Sequence, residues 1–411
     1  MDPIRLDNLR NIVLGAHHKS VPPIAWNMTI ADFLATKPRL SHFPTPLLTI
    51  DEAALRHNVA AMASWAADRG MWLAPHGKTT MAPQLWKRQL DAGAWGITLA
   101  TPWQAQVARD FGVRRIMLAN AVVDAVSLAW LSGESSKDPG FEFYCWADSV
   151  ATVELMAHRL ADAERPIAVL VELGFAGGRC GARTVDEAIS IAEYVSGTPH
   201  LTLAGVAGYE GALGHDRSSD ALHRITAYLD DLASLHARLH HLLPTQSLVT
   251  AGGSAYPDLV AERLAGVASN GATVVLRSGA YITHDDGFYA HISPFADGVE
   301  PRNPVHLQPA IRGWARVISA PEPDLVLLDA GKRDLPYDEG LPVVDHEPVA
   351  AMNDQHTFVR GARVNSMQIG DVVRLGLSHP CTAFDKWRLI PVVANDGEAD
   401  PQVLDLIHTF F

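Results

Sequence analysis

A lysine, Lys78, stands directly after a short apolar run, in the segment APHGKT. Lysine normally occupies exposed helix faces, so a position just past a buried strand is unusual for it. A lysine amine that is desolvated loses its proton readily and becomes nucleophilic toward an aldehyde. For an isolated residue of this kind, a loop lysine whose ammonium reaches water is the more common explanation.

Two further loops combine glycine with hydroxyl side chains. Their residues are Gly252, Gly253, Ser254, Gly279, Ala280 and Tyr281. Glycine lets the backbone approach an anion closely, and backbone amides together with Ser and Tyr hydroxyls can hold that anion. A single GGS segment is in most cases a turn, but two such loops at neighbouring positions predict a phosphate site.

A nucleophilic lysine and a phosphate site are the two requirements of pyridoxal 5′-phosphate (PLP), which forms an imine with the first and is gripped by the second. We therefore predict that PLP binds at these loops. His76, two residues before Lys78, is a further candidate contact of the cofactor.

Near the C-terminus, His379 and Cys381 are separated by one residue in the segment LSHPCT. On an extended segment, residues two apart project from the same face, so both side chains can reach one ion. A thiolate with an imidazole selects zinc, whereas a carboxylate in place of the cysteine would favour manganese or magnesium. A buried cysteine beside an incidental histidine is the alternative for so short a motif.

Four other positions are weaker candidates. Arg179, in GGRCG, could hydrogen-bond a phenolate or a carboxylate, or be a surface cation. Tyr209, in GYEG, could line a cofactor ring or cap a core. His356 is a possible further metal ligand or active-site base. The run His284, Asp285 and Asp286 could suggest a metal cluster, but consecutive polar residues more often make a turn.

These residues need elements that position them, and strand-like runs alternate with helix-like segments between positions 71 and 277. Eight such runs occur, at 72–75, 96–100, 115–119, 141–146, 167–172, 201–208, 247–252 and 273–277. Strict alternation implies parallel strands with right-handed crossovers. The count favours a (β/α)8 TIM-like barrel over an open doubly wound sheet, and barrels place function at the carboxyl ends of their strands.

The pattern of the sequence changes after the eighth strand-like run. From about position 279, Pro, Gly and Asp punctuate short β-like runs, which predicts a mainly antiparallel β domain. We therefore predict three parts: an N-terminal segment at 1–45 that packs on the β domain or on a partner subunit, a PLP-binding barrel with a leading strand and helix at 46–278, and a C-terminal β domain at 279–411 that carries the metal site.

Composition limits the class of protein. The chain has 411 residues, is 48% hydrophobic and has a net charge of −13, so it can bury a core, and nucleic acid is an unfavourable partner. Its charged N-terminus and the absence of a long apolar run predict a cytoplasmic protein that does not cross a membrane. An odd number of cysteines, three, fits a reducing compartment.

Taken in order, the segments TPLLTIDEAALRHNV, PHGKT, GGRCG, GGS, SGAYITHDD and GDVVRLGLSHPCTAFDKW resemble the D-serine dehydratase and D-threonine aldolase family. That family consists of fold-type III PLP enzymes that are more distantly similar to alanine racemase. The resemblance extends from about position 45 to the C-terminus. It implies a homodimer, and a D-amino acid as the small-molecule substrate.

The resemblance also implies roles for single residues. Lys78 matches the Schiff-base lysine, Arg179 matches the arginine that faces the 3-hydroxyl of the cofactor, and Tyr209 matches a tyrosine that contacts its ring. The phosphate contacts match Gly253, Ser254, Gly279, Ala280 and Tyr281. His379 and Cys381 match the metal pair. Two departures from the family pattern, Thr80 for a histidine and Gln355 for a glutamate, affect the expected substrate pocket.

The predicted reaction is a zinc-assisted β-elimination from a D-configured β-hydroxy amino acid, which yields a 2-oxo acid and ammonia. In the family that the sequence resembles, the dehydratase branch has the motif HxC with zinc, and the aldolase branch has HxD with manganese or magnesium. The resemblance of Cys381 to the first motif therefore favours dehydration. The alternative is a retro-aldol cleavage to glycine and an aldehyde. A racemase has no role for the metal pair, and a non-catalytic PLP carrier would resemble the barrel alone.

Overall fold

A computed structural model describes residues 4–299 and 305–411. Positions 1–3 of the predicted N-terminal segment and 300–304 of the predicted β domain lie outside the described residues. The chain divides into two compact units. Within the described residues, the barrel unit contains Ala63–Lys78 and Gln89–Gly279, and the β unit contains Arg5–Met62, Thr79–Arg88 and Ala280–Phe411.

The chain begins with two short helices, a strand and a long helix. These elements are α1 (Asp7–Arg10), α2 (Ile30–Ala35), β1 (Leu47–Asp51) and α3 (Glu52–Ala67). Thr29 caps α2, because its side chain accepts a hydrogen bond from the amide of Asp32. All five residues of β1 are buried.

Eight parallel strands form the barrel unit. They are β2 (Trp72–Leu73), β3 (Ile97–Leu99), β4 (Arg115–Leu118), β5 (Glu142–Ala147), β6 (Ile167–Leu173), β7 (Leu201–Gly208), β8 (Leu248–Ala251) and β9 (Thr273–Leu276). Their order is β2-β9-β8-β7-β6-β5-β4-β3. A parallel bridge between His76 and Thr98 joins the two ends of this order, so the sheet curls into the predicted barrel.

Helices connect the barrel strands. They are α4 (Pro83–Asp91), α5 (Pro102–Asp110), α6 (Ala125–Lys137), α7 (Val150–Arg159), α8 (Val185–Ser196), α9 (Ser219–Arg238) and α10 (Pro257–Ser269). Side chains at Thr101, Asp124, Ser149, Thr184 and Ser218 cap five of them. Such caps satisfy amides that a helix leaves unpaired, and they fix where each helix begins.

The interior of the barrel is filled by side chains from several strands. Trp146, Met117, Leu170 and Val275 belong to one buried cluster. Trp146 is one of two tryptophans in this cluster, with Trp95, and is 1% exposed. Packing of this kind makes the barrel a rigid support, and the residues that follow its strands are free to carry chemistry.

The β unit is built on an antiparallel sheet. Its elements after the barrel are α11 (Phe288–Ile292), β10 (Ile311–Glu322), β11 (Leu325–Leu328), β12 (Val343–Val344), β13 (Glu347–Pro348), β14 (Ala351–Met352), β15 (Thr357–Arg360), β16 (Val372–Gly376), α12 (Cys381–Phe384), β17 (Leu389–Val393) and β18 (Val403–His408). The main path runs β13-β12-β16-β10-β1-β17-β18. The predicted antiparallel β domain is therefore present.

The leading strand lies in a different sheet from the one we predicted. β1 pairs antiparallel with β10 and parallel with β17, so it is a central strand of the β unit and not part of the barrel. The boundary at 46 is therefore wrong. A strand that is buried along its whole length carries the same apolar pattern in either sheet, which is why the sequence could not assign it.

The N-terminal segment contacts the β unit. Arg39 forms an antiparallel bridge with Gln402, and the Ser41 amide and hydroxyl donate to the carboxylate of Asp400. Lys19 Nζ lies 3.2 Å from an oxygen of Asp334. Among the described residues, no helix combines the length and the apolar character that a membrane crossing requires.

Candidate active site

Lys78 lies in a short 3-10 helix, Gly77–Thr79, that is separated from the end of β2 by three residues, and its side chain is exposed. This is the carboxyl end of a barrel strand, as predicted. Burial, together with the nearby charges of Lys78 and Arg277, holds the pKa of His76 well below its usual value. The Nδ1 atom of His76 is buried and has no hydrogen-bond partner within the described residues. The His76 ring is therefore neutral and offers one unused polar atom beside the lysine.

The first glycine loop follows β8, and a buried glutamate organises it. The carboxylate of Glu210 accepts hydrogen bonds from the amide of Gly252 (2.9 Å) and from that of Gly253 (2.5 Å). Burial raises the pKa of Glu210, and these amides oppose that effect because they favour the carboxylate. The two amides that we expected to hold a phosphate thus bind Glu210 instead.

The two glycine loops are joined by hydrogen bonds. Ser278 Oγ donates to the carbonyl of Gly253 (2.6 Å), and the amide of Gly279 donates to Ser254 Oγ (3.2 Å). Gly253 has φ of +74°, and a Cβ atom there would clash with the side chain of Leu276. Only glycine fits this position, so the chain must turn tightly at the end of β8.

The remaining predicted phosphate contacts, Ala280 and Tyr281, lie in the 3-10 helix Ala280–Ile282, directly after Gly279. Both residues are buried. Pro257, the first residue of α10, comes three positions after Ser254, the last residue of the GGS loop. A helix N-terminus attracts anions, so the elements around Ser254 suit the phosphate of PLP.

Arg179 and Tyr209 lie together at the same end of the barrel. The guanidinium carbon of Arg179 is 4.6 Å from the centre of the Tyr209 ring. A Cβ atom on Gly252 would approach the Tyr209 ring to 2.6 Å, so the ring packs directly against the glycine loop. The structure therefore brings these two candidates to the predicted phosphate site.

A second arginine at this site has no role in our sequence prediction. Arg277, which ends the eighth predicted strand, is 5% exposed. It donates to Thr250 Oγ1 and to the carbonyl of Gly208, both at 2.7 Å. In the sequence, only its position at the end of a predicted strand indicated that Arg277 could lie at this site. Since Lys78, Arg179 and Arg277 all act on His76, this end of the barrel favours an anionic ligand.

In the β unit, the structure brings His379 and Cys381 together. Burial lowers the pKa of His379, but its interactions with Cys381 and Asp338 outweigh this effect and raise the pKa to about 9. The segment is not the extended strand that we assumed. His379 has φ of +64°, and Cys381 is the first residue of α12, so a tight turn makes the two side chains converge.

These two side chains fit a metal ion by their chemistry. An imidazole nitrogen and a cysteine sulfur are typical zinc ligands. Within residues 4–299 and 305–411, no group of three or more His, Cys, Asp or Glu side chains could enclose an ion. A site with only two protein ligands would keep open positions, as catalytic sites do and structural zinc sites do not.

The residue that follows Lys78 contacts the metal pair. The hydroxyl oxygen of Thr79 lies 3.5 Å from the sulfur of Cys381. Thr79 is 3% exposed, so this contact is shielded from water. Thr80, the first departure from the family pattern, is also 3% exposed.

His356 is placed differently from the other candidates. It lies in the turn between β14 and β15, and its side chain is exposed. In the part of the chain that the structure describes, its ring makes no hydrogen bond or ion pair. Gln355, the second departure from the family pattern, donates from its side chain to Asp334. The role of His356 as an active-site base remains a prediction.

Two family models match the chain. "Alanine racemase, N-terminal domain" matches residues 50–257, and "Putative serine dehydratase domain" matches residues 310–393. The first match contains most of the barrel, and the second contains the motif with His379 and Cys381.

The sequence is also similar to curated and solved proteins. It is 28% identical to a D-threonine aldolase of an Arthrobacter species over 364 residues, which cover 87% of this chain and 91% of the relative. The structure resembles that of D-threonine aldolase from Filomicrobium marinum, with a TM-score of 0.76, 25% identity, and coverage of 90% of this chain and 96% of that one.

The similarity of the structure to a third protein, a dehydratase, shows only a shared fold. D-threo-3-hydroxyaspartate dehydratase from Delftia sp. HT23 has a TM-score of 0.69 and 21% identity, with 89% of this chain and 97% of that chain covered. Solved variants of a dehydratase with that name replace a histidine and a cysteine that are two positions apart, and the cysteine variant is described as metal-free.

Proposed function

From the premise that this chain belongs to the alanine racemase N-terminal domain family, we propose that it eliminates water from a D-configured β-hydroxy amino acid, yielding a 2-oxo acid and ammonia. The chain is a PLP-dependent lyase, like the proteins that it aligns with over most of its length. The proposal concerns the bond that is cleaved, the metal, and the residues that act.

The observation that carries the proposal is the pair of His379 and Cys381, whose side chains interact in the turn before α12. A nitrogen and a sulfur donor select zinc over the harder ions. A bound zinc ion acts as a Lewis acid toward a hydroxyl oxygen, which makes hydroxide a better leaving group. The solved dehydratase variants at a histidine and a cysteine with the same spacing support this assignment.

The cofactor has its own support in the barrel unit. The cationic groups of Lys78, Arg179 and Arg277 act together on His76, so an anionic ligand is stabilised there. Ser254 Oγ and the loop at Gly279 offer polar groups at the carboxyl ends of β8 and β9. When bound, PLP withdraws electrons from the substrate and so makes the hydrogen on Cα acidic.

The residues of the chain then have separate tasks. Lys78 Nζ would accept the proton from Cα, and its exposed position after β2 leaves it accessible to a ligand. Arg179 would bind an oxygen of the cofactor or the substrate, since its guanidinium lies against Tyr209. His379 and Cys381 would hold the ion next to the β-hydroxyl group of the substrate.

Lys78 and Thr79 are joined by a peptide bond. Consecutive Cα atoms are about 3.8 Å apart, and Thr79 contacts the Cys381 sulfur. The lysine that moves a proton and the residue that touches the metal pair are therefore neighbours in the chain.

A second candidate reaction is the retro-aldol cleavage of the same substrates to glycine and an aldehyde. The names of the aligned aldolases favour it. The difference lies in the bond that breaks, Cβ–O or Cα–Cβ, while the metal would hold the same hydroxyl group in both cases. Cys381 favours elimination, because the aldolase branch of the family that the sequence resembles has the pattern HxD, with an aspartate at this position.

Product analysis tests the proposal. The protein, supplied with PLP and zinc, is incubated with D-serine, D-threonine and D-threo-3-hydroxyaspartate, with the L-enantiomers as controls. Ammonia and a 2-oxo acid in equal amounts from a D-substrate would support dehydration. Glycine with an aldehyde would establish the aldolase reaction instead. We also propose a homodimer, which light scattering of the purified protein would test.

A further inference from the structure

His379 is held by two carboxylates from different parts of the β unit. Asp285 Oδ2 accepts a hydrogen bond from the backbone amide of His379 (3.1 Å). Asp338 Oδ2 lies 2.7 Å from Nδ1 of the His379 ring. The backbone and the ring of His379 are thus fixed separately, by residues 94 and 41 positions away in the chain.

The backbone contact explains an unfavourable conformation. His379 has φ of +64°, a region that side chains other than glycine enter only when their surroundings impose it. Asp285 is fully buried and also accepts from the amides of Gly287 (3.0 Å) and Tyr289 (2.9 Å). This carboxylate therefore ties the turn at His379 to the start of α11.

The ring contact decides which nitrogen of His379 is available. A carboxylate can only accept, so Nδ1 must carry the hydrogen that it donates to Asp338. A ring that binds a metal is neutral, so its free electron pair would then be on Nε2, on the side away from Asp338. Metal-binding histidines commonly have such a carboxylate partner, which orients the ring and makes it a better ligand.

Asp338 is also tied to the residue that follows Cys381. Thr382 Oγ1 donates to Asp338 Oδ1 at 2.6 Å. One carboxylate thus holds both the imidazole of His379 and the first turn of α12, where Cys381 lies. Asp338 therefore contacts both of the segments that carry the proposed metal ligands.

We propose that Asp338 is a positioning residue for the metal site, which presents Nε2 of His379 to the ion and fixes α12 beside it. The inference rests on the proposed function, because it assumes that His379 and Cys381 hold a metal. Asp338 itself is not a ligand in this arrangement, since both of its oxygens are engaged by His379 and Thr382.

The test compares zinc affinity in Asp338→Ala, Asp338→Asn and Glu339→Gln, each prepared with PLP. Glu339 is the adjacent exposed carboxylate, so its substitution removes the same charge without touching His379. Competition with a chromophoric chelator gives the dissociation constant for zinc. We expect a loss of 10- to 100-fold in Asp338→Ala, as is typical when the partner of a metal-bound histidine is removed.

Asp338→Asn is expected to weaken zinc binding as well, since its amide group can donate to Nδ1 and so favour the other tautomer. Asp338→Glu should restore part of the affinity, because it again supplies an acceptor. Absorbance of bound PLP should be equal in all variants, which separates positioning from general loss of structure. If Asp338→Ala does not fold, Asp338→Asn carries the test.

The outcomes are distinguishable. Zinc affinity within twofold of the unmodified protein in Asp338→Ala and Asp338→Asn would overturn the positioning role and leave the proposed function intact. Equal weakening in Glu339→Gln would show a general charge effect and would also overturn it. If the unmodified protein itself bound no zinc, the proposed function and this inference would both fall.

Discussion

Thr79, which is 3% exposed, places its hydroxyl oxygen 3.5 Å from the sulfur of the half-buried Cys381. If Cys381 binds the proposed metal as a thiolate, its sulfur can only accept, and the Thr79 hydroxyl would donate to it. This bond joins the metal pair to the residue that follows Lys78. Thr79 would then support the proposed metal pair, although its side chain carries no reactive group of its own.

Thr79→Val should therefore weaken zinc binding while preserving the fold. One hydrogen bond to the sulfur contributes about 1 kcal/mol, which corresponds to roughly a fivefold change in affinity. Thr79→Ser keeps the hydroxyl group and is the matched control. Equal zinc affinity in the valine and serine variants, measured by chelator competition, would show that the contact is only packing.

Lys78→Ala should abolish the absorbance band of covalently bound cofactor and lower the turnover of D-substrates by about 10²- to 10⁴-fold, the usual contribution of a general base. Lys137→Ala is the control, because this lysine is 75% exposed on α6. The spectra are recorded with equal amounts of added PLP. A normal band in Lys78→Ala would mean that another amine binds the cofactor.

Glu210→Gln should loosen the GGS loop. Glutamine has a single acceptor oxygen, so one of the two amides now bound by the carboxylate would lose its partner. An unsatisfied buried group costs about 1–3 kcal/mol, and we expect a melting temperature lower by a few degrees and a PLP dissociation constant raised about tenfold. Glu193→Gln, at an exposed position of α8, should change neither quantity.

Acid should destabilise the β unit through His284. Burial lowers the pKa of His284 from 6.5 to about 4. Between these values the unfolded chain binds a proton that the folded chain does not, so the free energy of unfolding falls as the pH drops from 6.5 towards 4. The contribution is at most about 3 kcal/mol.

His284→Asn should flatten this dependence, and asparagine tolerates the positive φ of this position. Urea denaturation at a series of pH values between about 7 and 4 gives the slope. The exposed His223 offers the control substitution, His223→Asn, which should retain the slope of the unmodified protein. An unchanged slope in His284→Asn would remove His284 as its origin.

The sequence predicted the barrel well because each of its strands is a short apolar run between helical segments. It also predicted that His379 and Cys381 converge, although for the wrong reason, since a turn and not a strand brings them together. Spacing within a short segment shows which residues can meet, but it does not show the backbone conformation that achieves it.

Residues that act through distant partners could not be found in this way. Asp338 lies 41 positions before His379, and Glu210 lies 42 before Gly252. Neither carboxylate stands in a recognisable motif, and only the folded chain shows what each one binds. For the same reason the strand β1 was grouped with the barrel in our prediction: its partners β10 and β17 lie far along the chain.

The most direct test of the central claim is the zinc dependence of ammonia release from D-serine by the protein saturated with PLP. The account predicts that removing the metal with a chelator lowers the rate by orders of magnitude, because leaving-group stabilisation of several kcal/mol is lost, and that added zinc restores it. The cofactor spectrum should be retained throughout. Full ammonia release by metal-free protein would contradict the account.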